Sequence, residues 1–434
     1  REFIERWKTK IVNFSVVLFT DTEPKITGAQ RSIYGFPLLE RHFRVFASLG
    51  ASQVTVIDPS EIGERETIFK RFEDIWFQEL KKVNWLRVND PTDSWLTGND
   101  ECILLLDGHH LYDERVLKAM INNGPNKKVI DTSSINPCRL LFADLNLLQN
   151  LTVNWSDSES LWSAVEGLSE RSCSVFDLSI MNPYIVDLRR NISAWWVILD
   201  SDKKILTAEM FLIDAAQKGT LDFPAEFIHP PLENRVTKWI SKKAVTPNQI
   251  TTVTVLLAFL GTGLMALGFL ASGLMLAFLV GILDGVDGKL ARTTVRCTRF
   301  GDKYEHILDV VYELTWYWAI GWMLSQNGTL TGPFIFSGTI TIFYLLDKMA
   351  TGIFKSRRGI ELFDYAPIDR FFRRIGARRN INVLLLLGGL VIGMTEELFI
   401  FVAIWTFFTA IFHWKRSLWL LYKSRLNGKL EMPI

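Results

Sequence analysis

The sequence predicts an N-terminal α/β domain followed by an all-α polytopic membrane domain of six transmembrane helices. Three observations favour this fold class. Short apolar runs alternate with helical stretches in the first half, long uncharged runs fill the second half, and basic residues occur in only alternate loops of that second half. The 434 residues carry 48 Lys and Arg against 47 Asp and Glu, without the basic excess typical of nucleic-acid-binding proteins. We therefore expect no nucleic-acid partner.

In the first half, apolar runs at residues 16–19, 54–57 and 103–106 predict buried strands. Between them, residues 38–49 and 64–82 have the pattern of helices. Alternation of this kind is typical of an α/β domain with a mainly parallel sheet. The four cysteines lack metal-ligand spacing, so neither a zinc module nor a disulfide scaffold is expected.

In the second half, residues 249–283 contain no charged side chain, a run long enough for two membrane crossings with a turn near Ala271, Ser272 and Gly273. Residues 314–346 form another uncharged run, and a polar turn at 325–328 divides it into two more spans. Residues 381–412 carry only Glu396 and Glu397, which we expect at a membrane surface between spans five and six. Buried helices of a soluble protein, the alternative, would need far shorter apolar runs.

Loop charges orient these six spans. The turns near Ser272, Asn327 and Thr395 contain no Lys or Arg, whereas the loops on the other side are strongly basic. By the positive-inside rule, both termini and the α/β domain lie on the cytoplasmic side of the cytoplasmic (inner) membrane. The first twenty residues lack a long apolar stretch, so no cleavable signal peptide is expected.

The segment between the two halves mixes Trp239 and Ile240 with basic residues over positions 232–243. This composition suits a helix on an anionic membrane surface, and a plain linker helix is the alternative. The predicted organisation is a cytoplasmic domain at 1–225, a linker with the interfacial helix at 226–248, the six-helix domain at 249–425 and a cytoplasmic tail at 426–434.

Four acids lie at the end of the second predicted span and the beginning of the third. Asp284 and Asp287 are three residues apart and Glu305 and Asp309 four apart, so each pair shares a helix face. Carboxylates beside apolar spans are energetically expensive and usually functional. Four uncompensated acids would repel one another, and a hard divalent cation such as Mg²⁺, often shared with substrate phosphates, resolves the repulsion.

Small residues surround these acids. Gly285, Gly288 and Ala291 remove side-chain bulk, so a nucleotide could approach the helix backbone closely. The alternative is a purely structural role, a buried network in which the acids pair with Arg292, Arg296 and Arg299. One pair of acids could be explained in this way, but four at this spacing fit it poorly.

The segment Asp284-x-x-Asp287-Gly288-x-x-Ala291-Arg292, eight residues, Gly301-x-x-x-Glu305-x-x-x-Asp309 resembles the signature of the CDP-alcohol phosphotransferases. Its usual form is DxxDGxxAR, eight residues, then GxxxDxxxD. The resemblance covers about residues 230–425. It implies six membrane helices, usually in a homodimer, and a cytoplasm-facing cavity where two Mg²⁺ or Mn²⁺ ions clamp the diphosphate of a CDP-alcohol. The hydroxyl of an alcohol or lipid acceptor then attacks the β-phosphorus, and CMP leaves.

Carried over residue by residue, the resemblance implies that all four acids bind metal and that Asp309 is also the base that accepts the proton of the acceptor hydroxyl. The implied CDP-binding residues are Asn248, Asp284, Gly288, Ala291, Arg292 and Gly301. Asn248 belongs to Thr246-Pro247-Asn248, which resembles the family's sequence just before its first helix.

Glu305 departs from the pattern, which has Asp there. Glu keeps the charge and the oxygen ligands, but its extra methylene displaces the carboxylate, and a misplacement of about 1 Å can cost about 100-fold in catalysis. We expect the metal site to adjust, because the other signature positions are intact. The alternative is weak or lost activity in a nucleotide- or lipid-binding protein.

A basic loop between spans four and five extends from Lys355 to Arg379. Its arginines could bind a phosphate on the acceptor by bidentate contacts, or could serve topology and contact anionic lipid headgroups. The candidate acceptor-binding residues are Arg296, Arg299, Arg370, Arg378 and Arg379.

In the first half, residues 28–57 and 104–113 resemble a sugar-phosphate nucleotidyltransferase domain of Rossmann-like fold. Asp107 is the implied metal ligand and Asp200 a candidate second one. Fused domains of these two kinds resemble the enzymes that make CDP-inositol and then di-inositol phosphates.

The nucleotide-binding loop of the first half lacks the expected glycines. The family has a G-x-G-x-R turn whose amides cradle phosphate, whereas residues 20–24 here read Thr-Asp-Thr-Glu-Pro. We therefore expect a degenerate scaffold, with an active cytidylyltransferase as the alternative. A transporter is a third hypothesis for the whole chain, but it would place acids across the spans instead of at one end.

Overall fold

The computed structural model describes residues 13–19, 32–57, 84–88, 101–132, 134, 136–153, 155, 157–243, 245–296, 299–325 and 332–426. For residues 84–88, 299–307, 309 and 424–426 it describes the backbone alone.

The chain forms two compact units. The first comprises Arg1–Tyr184 and Asn191–Asp214, and the second comprises Ile185–Arg190 and Ala215–Ile434. The short segment Ile185–Arg190 therefore belongs to the second unit, although it lies within the first half of the sequence.

The described residues form the strands β1 Phe14–Phe19, β2 Ser32–Ile33, β3 Phe36–Pro37, β4 Gln53–Ile57, β5 Asn84–Val88, β6 Cys102–Asp107, β7 His110–Tyr112, β8 Lys127–Ile130, β9 Leu140–Asp144, β10 Ser174–Asp177, β11 Tyr184–Ile185, β12 Arg190–Asn191 and β13 Trp196–Ile198. The first unit is built around a seven-stranded sheet with the order β10-β8-β9-β6-β1-β4-β5, and the other strands form two-stranded pairs. The central strands β6, β1, β4 and β5 run parallel to one another, and β9 runs antiparallel to both its neighbours.

Five helices accompany this sheet: α1 Leu38–Leu49, α2 Glu114–Asn122, α3 Leu145–Gln149, α4 Ser158–Glu166 and α5 Asp202–Ala215. Strands β1 and β6 are buried along their whole length, as expected for the centre of a covered parallel sheet. The predicted α/β class, the three strands and the helix at 38–49 are confirmed. The predicted helix at 64–82 lies outside the described residues.

The second unit is helical. Its helices are α6 Pro230–Ser241, α7 Pro247–Ala266, α8 Leu270–Thr293, α9 Arg299–Leu324, α10 Gly332–Arg358, α11 Pro367–Ile375, α12 Arg379–Ile392 and α13 Thr395–Leu426, and a π-helical turn Pro224–Ile228 precedes them. The N-terminus of α7 is closed by a capping box, in which Thr246 and Gln249 each accept a hydrogen bond from the other's backbone amide.

Four stretches of the described residues are long and apolar enough to cross a membrane: Pro247–Ala266, Leu270–Thr293, Pro367–Ile392 and Thr395–Lys423. Helices α9 and α10, with 26 and 27 residues, have the length of a crossing but are not among the four. The predicted helical membrane-type domain is therefore confirmed as a fold, and the number of six spans stays a prediction.

The turn between α7 and α8 lies at Leu267–Phe269, four residues before the predicted position at Ala271, Ser272 and Gly273. Gly268 forms this turn at a φ of +91°, a left-handed conformation that a side chain would disfavour. Gly273 lies inside α8, where a Cβ atom would come within 2.4 Å of Met265 Cγ. The small residues that suggested a turn in the sequence instead allow two helices to cross closely.

The core of the helical unit contains aromatic and aliphatic side chains from α7, α8, α9, α10, α12 and α13, among them Trp316, Tyr317 and Phe399, which are fully buried. Six helices thus pack on one core, and α8 lies against both α7 and α12. This packing positions the motif segment at the C-terminal half of α8.

Replacing Gly273 by alanine is expected to push α7 and α8 apart, because the new methyl group would overlap Met265. Such overpacking typically costs about 1–3 kcal/mol. Thermal unfolding of the protein in detergent measures the effect. Gly263→Ala is the matched control, because Gly263 is exposed on α7 with open space around its Cβ position. Equal midpoints for the two variants would contradict the close crossing.

Candidate active site

Two carboxylates of α8, Asp284 and Asp287, line a pocket inside the helical unit. Asp287 is 3% exposed, and its Oδ2 accepts a hydrogen bond from the hydroxyl of Thr251 on α7, at 2.7 Å. Asp284 accepts a hydrogen bond from Nη2 of Arg379, at the beginning of α12, at 2.9 Å. The two acids are therefore each bound from a different neighbouring helix.

The pocket has a volume of about 380 Å³, and all its described lining residues belong to the helical unit. Among its described lining residues, nine are Lys or Arg and five are Asp or Glu. A cavity with this excess of cations is suited to a ligand that carries several negative charges, such as a nucleoside diphosphate.

A buried ion pair joins α6 to α8 at one wall of the pocket. Nζ of Lys289 lies 2.9 Å from Oε2 of Glu233, and these side chains are 3% and 5% exposed. Lys289 also donates a hydrogen bond to Oδ1 of Asn234, at 2.6 Å. Burial raises the pKa of Glu233, and the charge of Lys289 counteracts that rise.

The position of Glu233 also accounts for the glycine at position 285. A Cβ atom at Gly285 would lie 2.2 Å from Oε1 of Glu233, so the absence of a side chain lets this carboxylate lie against the backbone of α8. At Gly288, a Cβ atom would meet the guanidinium of Arg292 at 3.0 Å. The backbone that was expected to be open to a nucleotide is therefore covered at Gly285 by Glu233.

Three cations occupy another part of the pocket wall. The guanidinium groups of Arg373 and Arg378 lie over the ring of Phe363, at 4.6 and 4.7 Å from its centroid, and Nζ of Lys348 lies over Tyr344 at 5.2 Å. Within the described part of the chain, no carboxylate lies within 4.0 Å of these three cationic groups. Aromatic rings hold them in place without neutralising their charge.

The donor set fits a divalent cation that is shared with a ligand. Asp284 and Asp287 supply the carboxylate oxygens that Mg²⁺ and Mn²⁺ prefer. The described residues contain no group of three His, Cys, Asp or Glu that could enclose a metal ion. The side chains of the other two predicted ligands, Glu305 and Asp309 on α9, lie outside the described residues. Two acids beside a cationic wall suit an ion whose remaining ligands are phosphate oxygens.

The structure brings most of the other predicted residues to the same pocket. Those that line it are Asn248, Gly288, Ala291, Arg292, Arg296, Arg378 and Arg379. Arg292 and Arg296 are anchored by the backbone, since they donate hydrogen bonds to the carbonyl oxygens of Ala216 and Val245 at 2.8 and 3.2 Å.

Three predicted residues are not brought there by the described structure. Arg370 is exposed on α11, where its Nη2 donates to the carbonyl oxygen of Asp364 at 3.2 Å, so it does not line this pocket. Gly301 lies in the first turn of α9, and the side chain of Arg299 lies outside the described residues.

In the α/β unit, Asp107 ends β6 in a buried polar network. Its Oδ1 accepts hydrogen bonds from the amide and Nδ1 of His109, both at 2.9 Å, and its Oδ2 accepts one from Arg139 at 3.2 Å. Burial opposes ionisation, but the bonds from His109 and the charge of His110 hold the pKa of Asp107 well below its usual range.

Asp200, the candidate second ligand of the α/β unit, is exposed and pairs with Lys204 at 2.5 Å. The network therefore gives Asp107 protein partners, and the metal roles of these two acids stay predictions. The loop at residues 20–24 that was expected to be degenerate lies outside the described residues.

Several pocket residues were not identified from the sequence: Asp222, Glu233, Lys289, Glu313, Lys348 and Arg189. Lys289 lies inside the motif segment, and its position on an apolar helix was a usable signal for a buried partner. Glu233 gave no such signal, because one acid in a polar helix is ordinary.

Residues 244–372 match the model of the CDP-alcohol phosphatidyltransferase family. The matched segment contains Asp284, Asp287, Glu305 and Asp309. The resemblance predicted from the signature is therefore confirmed for this part of the chain, which carries a domain of that transferase family.

Among curated proteins, the chain is 24% identical over 237 residues to the bifunctional IPC transferase and DIPP synthase of Aquifex aeolicus (strain VF5). The alignment covers 54% of this chain and 52% of that protein, so the chain spans about half the length of this relative.

Two solved structures are also similar. Phosphatidylinositol phosphate synthase of Mycobacterium tuberculosis, with CDP-DAG bound, is 13% identical with a TM-score of 0.36, and the match covers 43% of this chain and 94% of that one. A putative glucose-1-phosphate thymidylyltransferase from Bacillus anthracis, in complex with a sucrose, is 7% identical with a TM-score of 0.32, covering 46% of this chain and 94% of that one.

Replacing Glu233 by glutamine is expected to destabilise the helical unit, because Lys289 would remain buried without its carboxylate. Breaking a buried pair in this way costs about 3–5 kcal/mol. Glu226→Gln is the matched control, since it breaks the exposed pair between Glu226 and Arg374, which is worth at most about 1 kcal/mol. Thermal unfolding in detergent compares the two. A similar small shift for both variants would contradict the role of the buried pair.

Proposed function

We propose that this protein is an integral-membrane, divalent-metal-dependent CDP-alcohol phosphotransferase. It transfers a phospho-alcohol group from a CDP-alcohol to the hydroxyl of an acceptor and releases CMP. The observation that carries the proposal is the pocket of the helical unit, in which the motif residues Asp284 and Asp287 lie beside a wall of cations that includes Arg378. The acids suit a divalent metal ion, and the cations suit the diphosphate and a second anion.

The donor side of the site lies along α8. Gly288, Ala291 and Arg292 line the pocket at the end of this helix, beside Asn248 of α7, and in our proposal they bind the CDP group. The hydrogen bond from Arg292 to Ala216 holds its guanidinium near Gly288. A fixed cation at this point can bind the diphosphate without the entropy loss of ordering a free side chain.

The acids of the signature hold the metal in this proposal. Asp284, Asp287, Glu305 and Asp309 provide the ligands for Mg²⁺ or Mn²⁺, with two ions expected from the family signature. When bound, such ions neutralise charge on the diphosphate and orient it for in-line attack. In the structure, Arg379 donates a hydrogen bond to Asp284 and the Thr251 hydroxyl donates one to Asp287.

Asp309 acts as the base. It takes the proton of the acceptor hydroxyl while the hydroxyl oxygen forms a bond to the β-phosphorus, and the bond from that phosphorus to the CMP oxygen breaks. A positioned base of this kind contributes roughly 10²–10⁴ in rate. Lys348, Arg373 and Arg378, which lack a carboxylate partner among the described residues, supply positive charge for an anionic group of the acceptor.

Membrane integration is supported by the four long apolar stretches and by α6. Trp239 on α6 is 65% exposed, with Nζ of Lys243 over its ring at 5.9 Å, a combination suited to a membrane surface. The basic loops favour placement of the pocket on the cytoplasmic side of the cytoplasmic membrane. A homodimer remains our expectation from the family resemblance.

We further propose that the α/β unit is a scaffold, although the Aquifex aeolicus relative is named bifunctional. Residues 20–24 offer Asp21, Glu23 and Pro24 where backbone amides would have to bind phosphate. The resemblance of the fused domains to enzymes that make CDP-inositol and di-inositol phosphates makes an inositol-type donor the first to test, and a diacylglycerol-type donor the second.

The direct test supplies CDP-alcohols, Mg²⁺ or Mn²⁺ and candidate acceptors to the purified full-length protein and measures CMP. We expect metal-dependent CMP release with at least one donor. Asp309→Asn should abolish turnover while largely sparing donor binding, because the amide cannot accept the proton. Absence of CMP from every donor, with folding confirmed, would exclude catalysis, and unchanged turnover of the variant would exclude Asp309 as the base.

Glu305→Asp distinguishes an adjusted metal site from an impaired one. If the site has adjusted to the longer side chain, shortening it moves the carboxylate away, and CMP release should fall. A large gain in CMP release would instead identify the natural protein as a catalytically impaired nucleotide- or lipid-binding homologue.

A further inference from the structure

One wall of the pocket is formed by a segment outside the family domain. Arg189 lines the pocket and belongs to the helical unit, although it lies 55 residues before the matched segment begins at residue 244. The chain therefore enters the helical unit first as Ile185–Arg190 and again from Ala215 onward.

The backbone around Arg189 is seated tightly. Arg189 adopts a φ of +53°, a left-handed conformation that residues other than glycine rarely adopt. The amide of Gly219 donates a hydrogen bond to the carbonyl oxygen of Leu188 at 2.7 Å, and a Cβ atom at Gly219 would lie 2.3 Å from the carbonyl oxygen of Arg189. A non-glycine residue held in such a conformation, against a glycine that makes room for it, is typical of functional sites.

The guanidinium of Arg189 adds a fourth cation to Lys348, Arg373 and Arg378. Like them, it has no carboxylate within 4.0 Å among the described residues. Arg189 lies near the loop after α10, because its charge acts on Glu361 in that loop. Burial opposes ionisation of Glu361, but the hydrogen bond from Lys355 and the charges of Lys355, Arg189 and Arg373 lower the pKa of Glu361. This location places Arg189 with the cations of α10–α12.

We propose that Arg189 is a specificity-determining residue that binds a phosphate monoester on the acceptor alcohol. The inference rests on the proposed function and extends it, because it assigns the chemical class of the acceptor and makes the site depend on a segment outside the family domain. A phosphate monoester carries close to two negative charges at neutral pH, and arginine binds such a group through two parallel hydrogen bonds. A neutral alcohol would bring no negative charge to these four cations, which have no carboxylate within 4.0 Å among the described residues.

The first experiment measures binding of inorganic phosphate to the detergent-solubilised full-length protein by isothermal titration calorimetry. Arg189→Gln should weaken binding roughly ten- to hundredfold, the range for a lost charge-assisted hydrogen bond, and Arg189→Lys should weaken it less. Arg190→Gln is the matched control, because it removes a charge from the neighbouring residue, which does not line the pocket in the described structure. Equal affinity of the wild type and Arg189→Gln would overturn the proposal.

A parallel titration with phosphatidate in mixed micelles distinguishes the source of the monoester. An effect of Arg189→Gln on inorganic phosphate alone identifies a water-soluble acceptor, and an effect on both inorganic phosphate and phosphatidate identifies a lipid one. The absence of an effect on inorganic phosphate overturns the assignment, whatever the phosphatidate titration shows.

Kinetics separate this inference from the proposed function. With a phosphorylated polyol as acceptor, Arg189→Gln should raise the KM for that acceptor by at least tenfold, with a smaller change in kcat and an unchanged KM for the CDP-alcohol. A raised KM for the CDP-alcohol instead would assign Arg189 to the donor and overturn the proposal. If neither the wild type nor any variant releases CMP, the proposed function fails, while the phosphate titration still decides the role of Arg189.

Discussion

Asp284 and Asp287 lie on a helix that is apolar over most of its length, where a carboxylate is costly unless a donor or a cation meets it. The neighbouring helices supply these partners. Arg379 of α12 binds Asp284 and Thr251 of α7 binds Asp287. The requirement to stabilise the acids of α8 thus brings three helices together and leaves a polar pocket at their meeting point.

Buried cations of the helical unit also need a partner that stabilises their charge. Lys289 is buried on α8 and is stabilised by Glu233 of α6, which fits only because Gly285 has no side chain. Arg373 and Arg378 lie over Phe363 and receive no carboxylate from the described residues. Among the described residues, the helices therefore contain one group of charges in close ion pairs and another group without a carboxylate within 4.0 Å. This division suits a reaction that joins two substrates bearing phosphate.

The sequence predicted the two halves, the central strands and the motif acids, because those features depend on local patterns and on one fixed spacing. It did not predict that Glu233 would cover Gly285, since contact between two helices cannot be read from either helix alone. The turn between α7 and α8 was misplaced for a related reason. Gly268 and Gly273 look equivalent in the sequence, and only packing shows that the first makes the turn and the second the helix crossing.

Manganese binding tests the central claim, that the acids of α8 form a metal site shared with a phosphate ligand. The loss of the free Mn²⁺ signal in electron paramagnetic resonance can be followed as the full-length protein is titrated, with and without CMP. We predict that CMP tightens Mn²⁺ binding and that Asp284→Asn with Asp287→Asn weakens it by at least about tenfold, while Glu396→Gln, at the exposed beginning of α13, leaves it unchanged. Equal Mn²⁺ affinity in the wild type and the double variant would contradict the claim.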